Sequence, residues 1–152
     1  MHRKRALLRL VMVACWFAAA TAGQGCRKHE NNECKAFVQA VNLHLAEIER
    51  VTDQDAGNQA PTPTTMRRLA SLYRDLAAKI GALSMHSSEL RQLSEQYRAM
   101  VLDAAKLAGS IADSIEAKDI SAAMKTHQQF SEVVSREDAL VGSVNALCRT
   151  TQ

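Results

Sequence analysis

The chain has 152 residues, of which 47% are hydrophobic, 4% aromatic and 23% charged, and its formal net charge is +3. Four of the basic residues and none of the acidic ones fall within 1–25, so residues 26–152 carry 15 basic and 16 acidic side chains, a net charge of −1. Nucleic-acid binding needs a concentrated basic face, which this composition lacks, so we expect no nucleic acid as a partner. The length of residues 26–152 suits one domain with a single core.

Residues 1–25 have the composition of an export signal. Four basic residues precede a mostly apolar, uncharged run at 10–22, and small residues follow it. The run is shorter than the roughly 20 residues that a transmembrane helix needs. A basic start, a short apolar stretch and a small-residue junction are typical of a cleaved secretory signal. The sequence therefore predicts a signal peptide at 1–25 and an exported protein.

The junction Gly25-Cys26 closes this segment. Residues 1–26 resemble a bacterial lipoprotein precursor, in which the signal is cut before a cysteine that is acylated and becomes the new N-terminus. The resemblance implies a lipid on Cys26, a tether at 26–32 and a membrane-anchored protein of the cell envelope that faces the periplasm or the exterior. The alternative is cleavage after Ala22, which ends an A-x-A motif. That cleavage releases a soluble periplasmic or secreted protein.

Apolar residues recur at helical spacing in four segments of 33–152, and none of these segments alternates like a strand. The segments run from Cys34 to Val51, from Met66 to Leu83, from Leu90 to Ile115 and from Ile120 to Cys148, with Glu137 interrupting the last. One loop with two prolines and two short connections join them. This pattern predicts an all-α fold, an antiparallel up-down-up-down four-helix bundle after the signal peptide. Two stacked helical hairpins, as in repeat proteins, are the competing arrangement.

Short polar side chains predict where these helices begin, because they can accept hydrogen bonds from the unpaired amides of a first helical turn. The predicted starts lie at Asn31 or Asn32, at Thr64 or Thr65, at Ser87 and at Asp119.

Cys34 and Cys148 are predicted to form a disulfide. Both occupy seam positions, one at the start of the first helical segment and one at the end of the fourth, and these two ends coincide in an up-down-up-down bundle. Helix axes about 8 to 10 Å apart bring inward side chains within reach of a disulfide. Acylation of Cys26 leaves these two thiols as an even pair, as an oxidising compartment favours. The alternatives are two buried free thiols or a bridge from Cys26 to Cys34.

Two seam histidines raise the question of a metal or cofactor site. His44 and His127 lie on the first and fourth segments, but roughly 16 Å apart in level along the bundle. Met124 shares a helical face with His127, which makes the two candidates for copper ligands, although methionine as core filler is the simpler interpretation. No Glu-x-x-His, haem-attachment, phosphate-loop or nucleophile-elbow motif occurs. We predict no metal, no cofactor and no catalytic residue, and therefore no enzyme.

Tyr73 and Tyr97 lie on adjacent seams and are expected to pack in the core with their hydroxyl groups at the surface, the alternative being a small pocket between them. Glu137 and Asp138 are expected to be solvated or capping groups. The predicted function is a non-enzymatic interaction or structural module, anchored in the membrane through the lipid on Cys26 and presenting a helix face or the proline- and threonine-containing loop to a protein partner of the envelope. The alternative is a periplasmic protein that binds a small ligand or copper in the bundle core.

Overall fold

The structure is a computed structural model that describes residues 24–54 and 61–150, with the side chains of 31–53 and 61–149. The described residues form no strand and five helices: α1 (Gln24–Gln54), α2 (Pro63–Gly81), α3 (Ser88–Glu116), α4 (Ile120–Val134) and α5 (Glu137–Thr150). The prediction of an all-α helical bundle is confirmed. Nearly all of the predicted signal peptide at 1–25 lies outside the described residues, as does the side chain of Cys26 with its predicted lipid.

Helix α1 begins earlier than predicted. It starts at Gln24 rather than at a cap formed by Asn31 or Asn32, and it continues to Gln54. The predicted tether at 26–32 is thus helical and continuous with α1. The stretch 24–32 contains no proline, so every residue in it can take part in the helical hydrogen-bond pattern.

The other helix starts agree with short-range capping rules. The hydroxyl oxygen of Thr62 accepts a hydrogen bond from the amide of Thr65 at 3.2 Å and caps α2. This cap precedes the predicted threonines because Pro63, which has no N–H to satisfy, is suited to the first helical position. The predicted cap of α3, Ser87, is confirmed, and Asp119, where the fourth segment is predicted to begin, caps α4.

The fourth helical segment of the sequence is two helices. α4 ends at Val134 and α5 begins at Glu137, with a turn at Ser135 and Arg136 between them. Glu137 and Asp138 occupy the first turn of α5, where acidic side chains interact favourably with the positive end of the helix dipole. The prediction of one continuous helix is therefore wrong, and Glu137 marks the start of a new helix.

Contacts between helices join opposite ends of consecutive helices. Glu33, in the first half of α1, contacts His86 in the connection that follows α2. Arg67, in the first turns of α2, forms an ion pair of 2.5 Å with Glu116 at the end of α3. Such contacts are those of antiparallel neighbours, while the complete up-down-up-down order stays a prediction.

The core is centred on α2 and α3, which make the most extensive contact of the described helix pairs, and it also includes buried apolar residues of α1. Small side chains on α3 allow this close approach, since Ala104, Ala108 and Ala112 are all buried. The largest fully buried side chains are Tyr97, Leu76, Ile80, Leu90, Ile111 and Val101. None of the helices in 24–54 and 61–150 has both the length and the apolar character that crossing a membrane requires.

A disulfide joins Cys34 of α1 to Cys148 of α5, as predicted, with an S–S distance of 2.10 Å and a Cα–Cα distance of 5.8 Å. The Cα separation is in the range that a disulfide requires. The two cysteines are 114 positions apart in sequence. Cys34 lies near the start of the described side chains, and Cys148 lies near their end. The bridge therefore fixes the first helix of the bundle to the last.

A buried carboxylate lies next to this bridge. Glu33 is 7% exposed and accepts hydrogen bonds from the amides of His86 at 2.9 Å and Ser87 at 3.2 Å. The Nδ1 atom of His86 lies 2.7 Å from the same carboxylate. Burial alone would raise the pKa of Glu33, but these hydrogen bonds outweigh it and lower the pKa below the ordinary value of a glutamate. The ionised side chain thus attaches α1 to the start of α3.

Candidate binding cleft

A cleft of about 360 Å³ lies between α1 on one side and α4 and α5 on the other. Leu69 and Tyr73 of α2 line its base. Its walls are apolar side chains of three helices: Phe37, Val38, Val41, Leu45 and Ile48 of α1, Phe130 and Val134 of α4, and Val141 and Val144 of α5. Contact between α1 and α5 is sparse, so their facing surfaces are left partly uncovered.

The width of the apolar stripe on α1 accounts for this wall of the cleft. Phe37, Val41 and Ile48 follow each other at helical spacing and are buried. Val38 and Leu45 lie beside that row and are half-buried. An apolar stripe of this width can face two neighbouring elements at once. α2 covers one side of the stripe, and the other side lines the cleft.

The polar side chains of the cleft are neutral or acidic. They are Asn42, Glu49 and Thr52 of α1 and Glu137, Asp138 and Asn145 of α5. Among the described residues, no lysine, arginine or histidine lines it. The cleft therefore combines apolar walls with an unbalanced negative charge.

Glu137 is the buried end of this acidic set. Its carboxylate accepts a hydrogen bond from the hydroxyl group of Tyr97 on α3. Burial raises the pKa of Glu137; the hydrogen bond from Tyr97 opposes that rise, and the negative charge of Asp138 adds to it. Burial and the charge of Glu137 likewise raise the pKa of Tyr97. The cleft thus contains a half-buried carboxyl group with a neutral phenol as its partner.

Two pairs of aromatic rings lie in the same part of the bundle as the carboxyl group of Glu137. Phe37 and Tyr97 meet edge to face with ring centroids 5.7 Å apart, and Tyr73 meets Phe130 in the same manner at 6.0 Å. Burial raises the pKa of Tyr73 to about 12, with a further contribution from the charge of Glu137. The ring of Tyr73 and this carboxyl group therefore share one region of the cleft.

The prediction that both tyrosines pack in the core is confirmed, since Tyr73 is 6% and Tyr97 0% exposed. The predicted surface position of the hydroxyl group is wrong for Tyr97, because this group bonds to Glu137. Tyr73 also lines the cleft, but Tyr97 does not, so the cleft is not the pocket between the two tyrosines that is the alternative prediction. The interpretation of Glu137 as a solvated group is wrong, because its side chain is partly buried, although it does lie in the first turn of α5 as a capping group would; Asp138 is exposed.

The histidine and methionine candidates lie outside the cleft. His44 is half-buried with its Nδ1 atom 3.0 Å from the carbonyl oxygen of Ala40, an interaction within its own helix. His127 is exposed and Met124 is 70% exposed, so their predicted position on a buried seam is wrong. The reason is that the apolar face of α4 is centred on other residues, with Ala123 and Val133 buried. In the described residues, no three His, Cys, Asp or Glu side chains converge as metal ligands.

The fold and the cleft define the class of protein as an all-α bundle with a disulfide between its first and last helices and one apolar, acidic-edged cleft at the α1–α5 side. No protein-family model matches the chain, and searches of curated proteins and of solved structures give no match either. The functional argument therefore depends on the geometry of the cleft and on the sequence.

Proposed function

We propose that this chain is an exported, lipid-anchored protein of the bacterial cell envelope that binds, without catalysis, the apolar part of a small molecule in the cleft between α1 and α5. The observation that carries the proposal is the cleft itself. Its volume of about 360 Å³ is within the range of small-molecule sites, roughly 300 to 1,000 Å³. Its lining is mostly apolar, with a few polar groups that can orient a ligand, as such sites have.

A substitution that fills the cleft tests this function. We expect the purified, detergent-free protein to bind the neutral fluorescent probe N-phenyl-1-naphthylamine saturably, because the probe is apolar and the cleft walls are too. Val141→Trp places a large side chain in the cleft and is expected to weaken binding by about tenfold or more. Ala139→Trp adds the same fluorophore on the exposed face of α5 and is the matched control.

Unchanged binding by the control together with weakened binding by the Val141 variant supports a site in the cleft. Equal loss in both variants, or the absence of saturable binding by the parent protein, contradicts the proposed function.

The N-terminal chemistry of the exported protein can be tested separately. We expect mass spectrometry of protein from its native membrane to find Cys26 as an acylated N-terminus, because residues 1–26 have the order of a lipoprotein signal. Acylation of Cys26 also leaves an even number of other cysteines in the exported chain, namely the Cys34–Cys148 pair. A Cys26→Ser variant is the control and is expected to lack the lipid. An unmodified N-terminus at Gly23 shows instead that cleavage follows Ala22 and that the protein is not lipid-anchored.

Interaction with an envelope protein is the second candidate function. The observation that favours it is the exposure of Ile120 and Met124, at 60% and 70%, on one side of α4. Exposed apolar side chains that adjoin one another can mark a protein contact. A photo-crosslinking residue at position 124 is expected to give one adduct of defined mass in intact envelopes, and the same residue at exposed position 139 is expected to give none. Equal amounts of adduct from positions 124 and 139, or no adduct from position 124, contradict this role.

A further inference from the structure

We propose that the cleft selects amphipathic cations, molecules with an apolar body and one positively charged nitrogen, and that Glu137 is the counter-ion for the nitrogen. This inference rests on the proposed function, because it names the chemical class of the ligand for the same site. Three features of the described residues support it: the sign of the charges in the cleft, the incomplete pairing of Glu137 and the aromatic rings close to it.

The charges of the cleft have one sign. Glu49, Glu137 and Asp138 line it, and no basic side chain in the described residues does. A partly buried carboxylate such as that of Glu137 is stabilised by a positive partner, because an unpaired charge is disfavoured in an apolar surrounding. Since the protein provides no such partner in the cleft, a cationic ligand can provide it. An anionic ligand would meet repulsion from all three carboxylates.

The carboxyl group of Glu137 has room for a second partner. One of its oxygens accepts the hydrogen bond from Tyr97. Within 31–53 and 61–149, no other hydrogen bond and no ion pair to this carboxyl group is present, although an ionised carboxylate can accept about four hydrogen bonds. A charge-assisted bond to an ammonium group is the strongest that it can form in this position. The phenol of Tyr97 holds the carboxylate in place for that bond.

Aromatic rings line the same part of the cleft. Tyr73 and Phe130 both contribute to the surface that Glu137 also lines, and their rings meet edge to face. The faces of aromatic rings attract cations, and the attraction increases when water is excluded. A cation bound to Glu137 in the cleft is therefore expected to lie near aromatic carbon as well.

Three probes with the same alkyl chain test the charge preference: decylammonium, decanol and decanoate. Each is used below its micelle concentration or its solubility limit to displace N-phenyl-1-naphthylamine from the full chain. We expect the cation to displace the dye at concentrations about tenfold lower than decanol, and decanoate to be the weakest. Equal displacement by all three overturns the cation preference but leaves the proposed function intact. Failure of the dye to bind overturns the proposed function itself, and the inference with it.

Two variants with the same change of charge assign the preference to one residue. Glu137→Gln is expected to reduce the affinity for the cation to that for decanol, while Glu49→Gln, at the exposed edge, is expected to change it little because solvent screens that charge. Equal effects of the two variants overturn the role of Glu137. The Glu137 variant is expected to fold, since the raised pKa of Glu137 means that its ionisation opposes folding at neutral pH.

The pH dependence of binding gives an independent readout. The ionisable groups around Glu137 are Tyr97 of α3, Tyr73 of α2, Asp138 of α5 and Glu49 across the cleft. The preference for the cation is expected to decrease as the pH falls through the pKa of Glu137 and to be absent at every pH in Glu137→Gln. The same pH dependence in both proteins overturns the assignment.

Discussion

Loss of the Cys34–Cys148 disulfide is expected to lower the free energy of unfolding by about 4 to 5 kcal/mol, because the bridge restricts the unfolded chain across almost the whole bundle. The two cysteines are 114 positions apart, and the entropic cost of closing a loop increases with its length. Strain and residual structure in the unfolded chain make this figure an upper guide. The measurement is urea denaturation with and without reductant.

A variant with both Cys34→Ala and Cys148→Ala is the control, since its stability is expected to be low and insensitive to reductant. The bridge also borders the cleft: Cys34 lies one turn before Phe37 on α1, and Cys148 lies one turn after Val144 on α5. Its loss is therefore expected to weaken binding of the neutral dye as well. Equal stability of the oxidised and reduced parent protein contradicts the structural role of the bridge.

Removal of the hydroxyl group of Tyr97 is expected to lower the free energy of unfolding by about 1 to 3 kcal/mol at neutral pH. Tyr97→Phe keeps the buried ring and its edge-to-face contact with Phe37, but it leaves the half-buried carboxylate of Glu137 without its hydrogen bond. A buried polar group without a partner carries the full cost of its desolvation. Thermal or urea denaturation of the two proteins measures the difference.

The pH dependence of this stability difference tests whether the hydrogen bond from Tyr97 to Glu137 is its cause. Because the hydroxyl group of Tyr97 lowers the pKa of Glu137 relative to burial alone, its stabilising effect is present above that pKa and is lost as the pH falls through it. The difference between parent and Tyr97→Phe should therefore shrink in acid. Tyr73→Phe is the matched control, since no hydrogen bond of its hydroxyl group is present among the described residues, and it should cost less. Equal costs for the two variants contradict the account.

Local patterns predict much of this fold because they act over one or two helical turns. The recurrence of apolar residues identifies the helical segments, and Ser87 and Asp119 identify two helix starts through their capping hydroxyl and carboxylate groups. The Cys34–Cys148 bridge is predictable because both cysteines continue apolar stripes at the ends of the outer helices. The helix and cap inferences require only the sequence spacing of neighbours on one helix, and the bridge requires in addition that the first and last helices share an end of the bundle.

The cleft could not be predicted in the same way, because it depends on how far α1 lies from α5. Apolar periodicity shows that Val38, Leu45 and Val141 face inward, but not whether a partner covers them. The break before Glu137 has a local signal, since Glu137 and Asp138 are the acidic residues of a helix start. That signal also fits an interruption of a continuous helix, and the turn at Ser135 and Arg136 decides between the two.

The measurement that tests the central claim most directly is an intermolecular NOE experiment on the protein with bound N-phenyl-1-naphthylamine and labelled methyl groups. A ligand in the cleft is expected to give contacts between the dye and the methyl groups of Val41, Val141 and Val144, which line it. Contacts restricted to Ile120 and Met124, which are exposed on α4, would show that the dye binds at the surface and would contradict binding in the cleft.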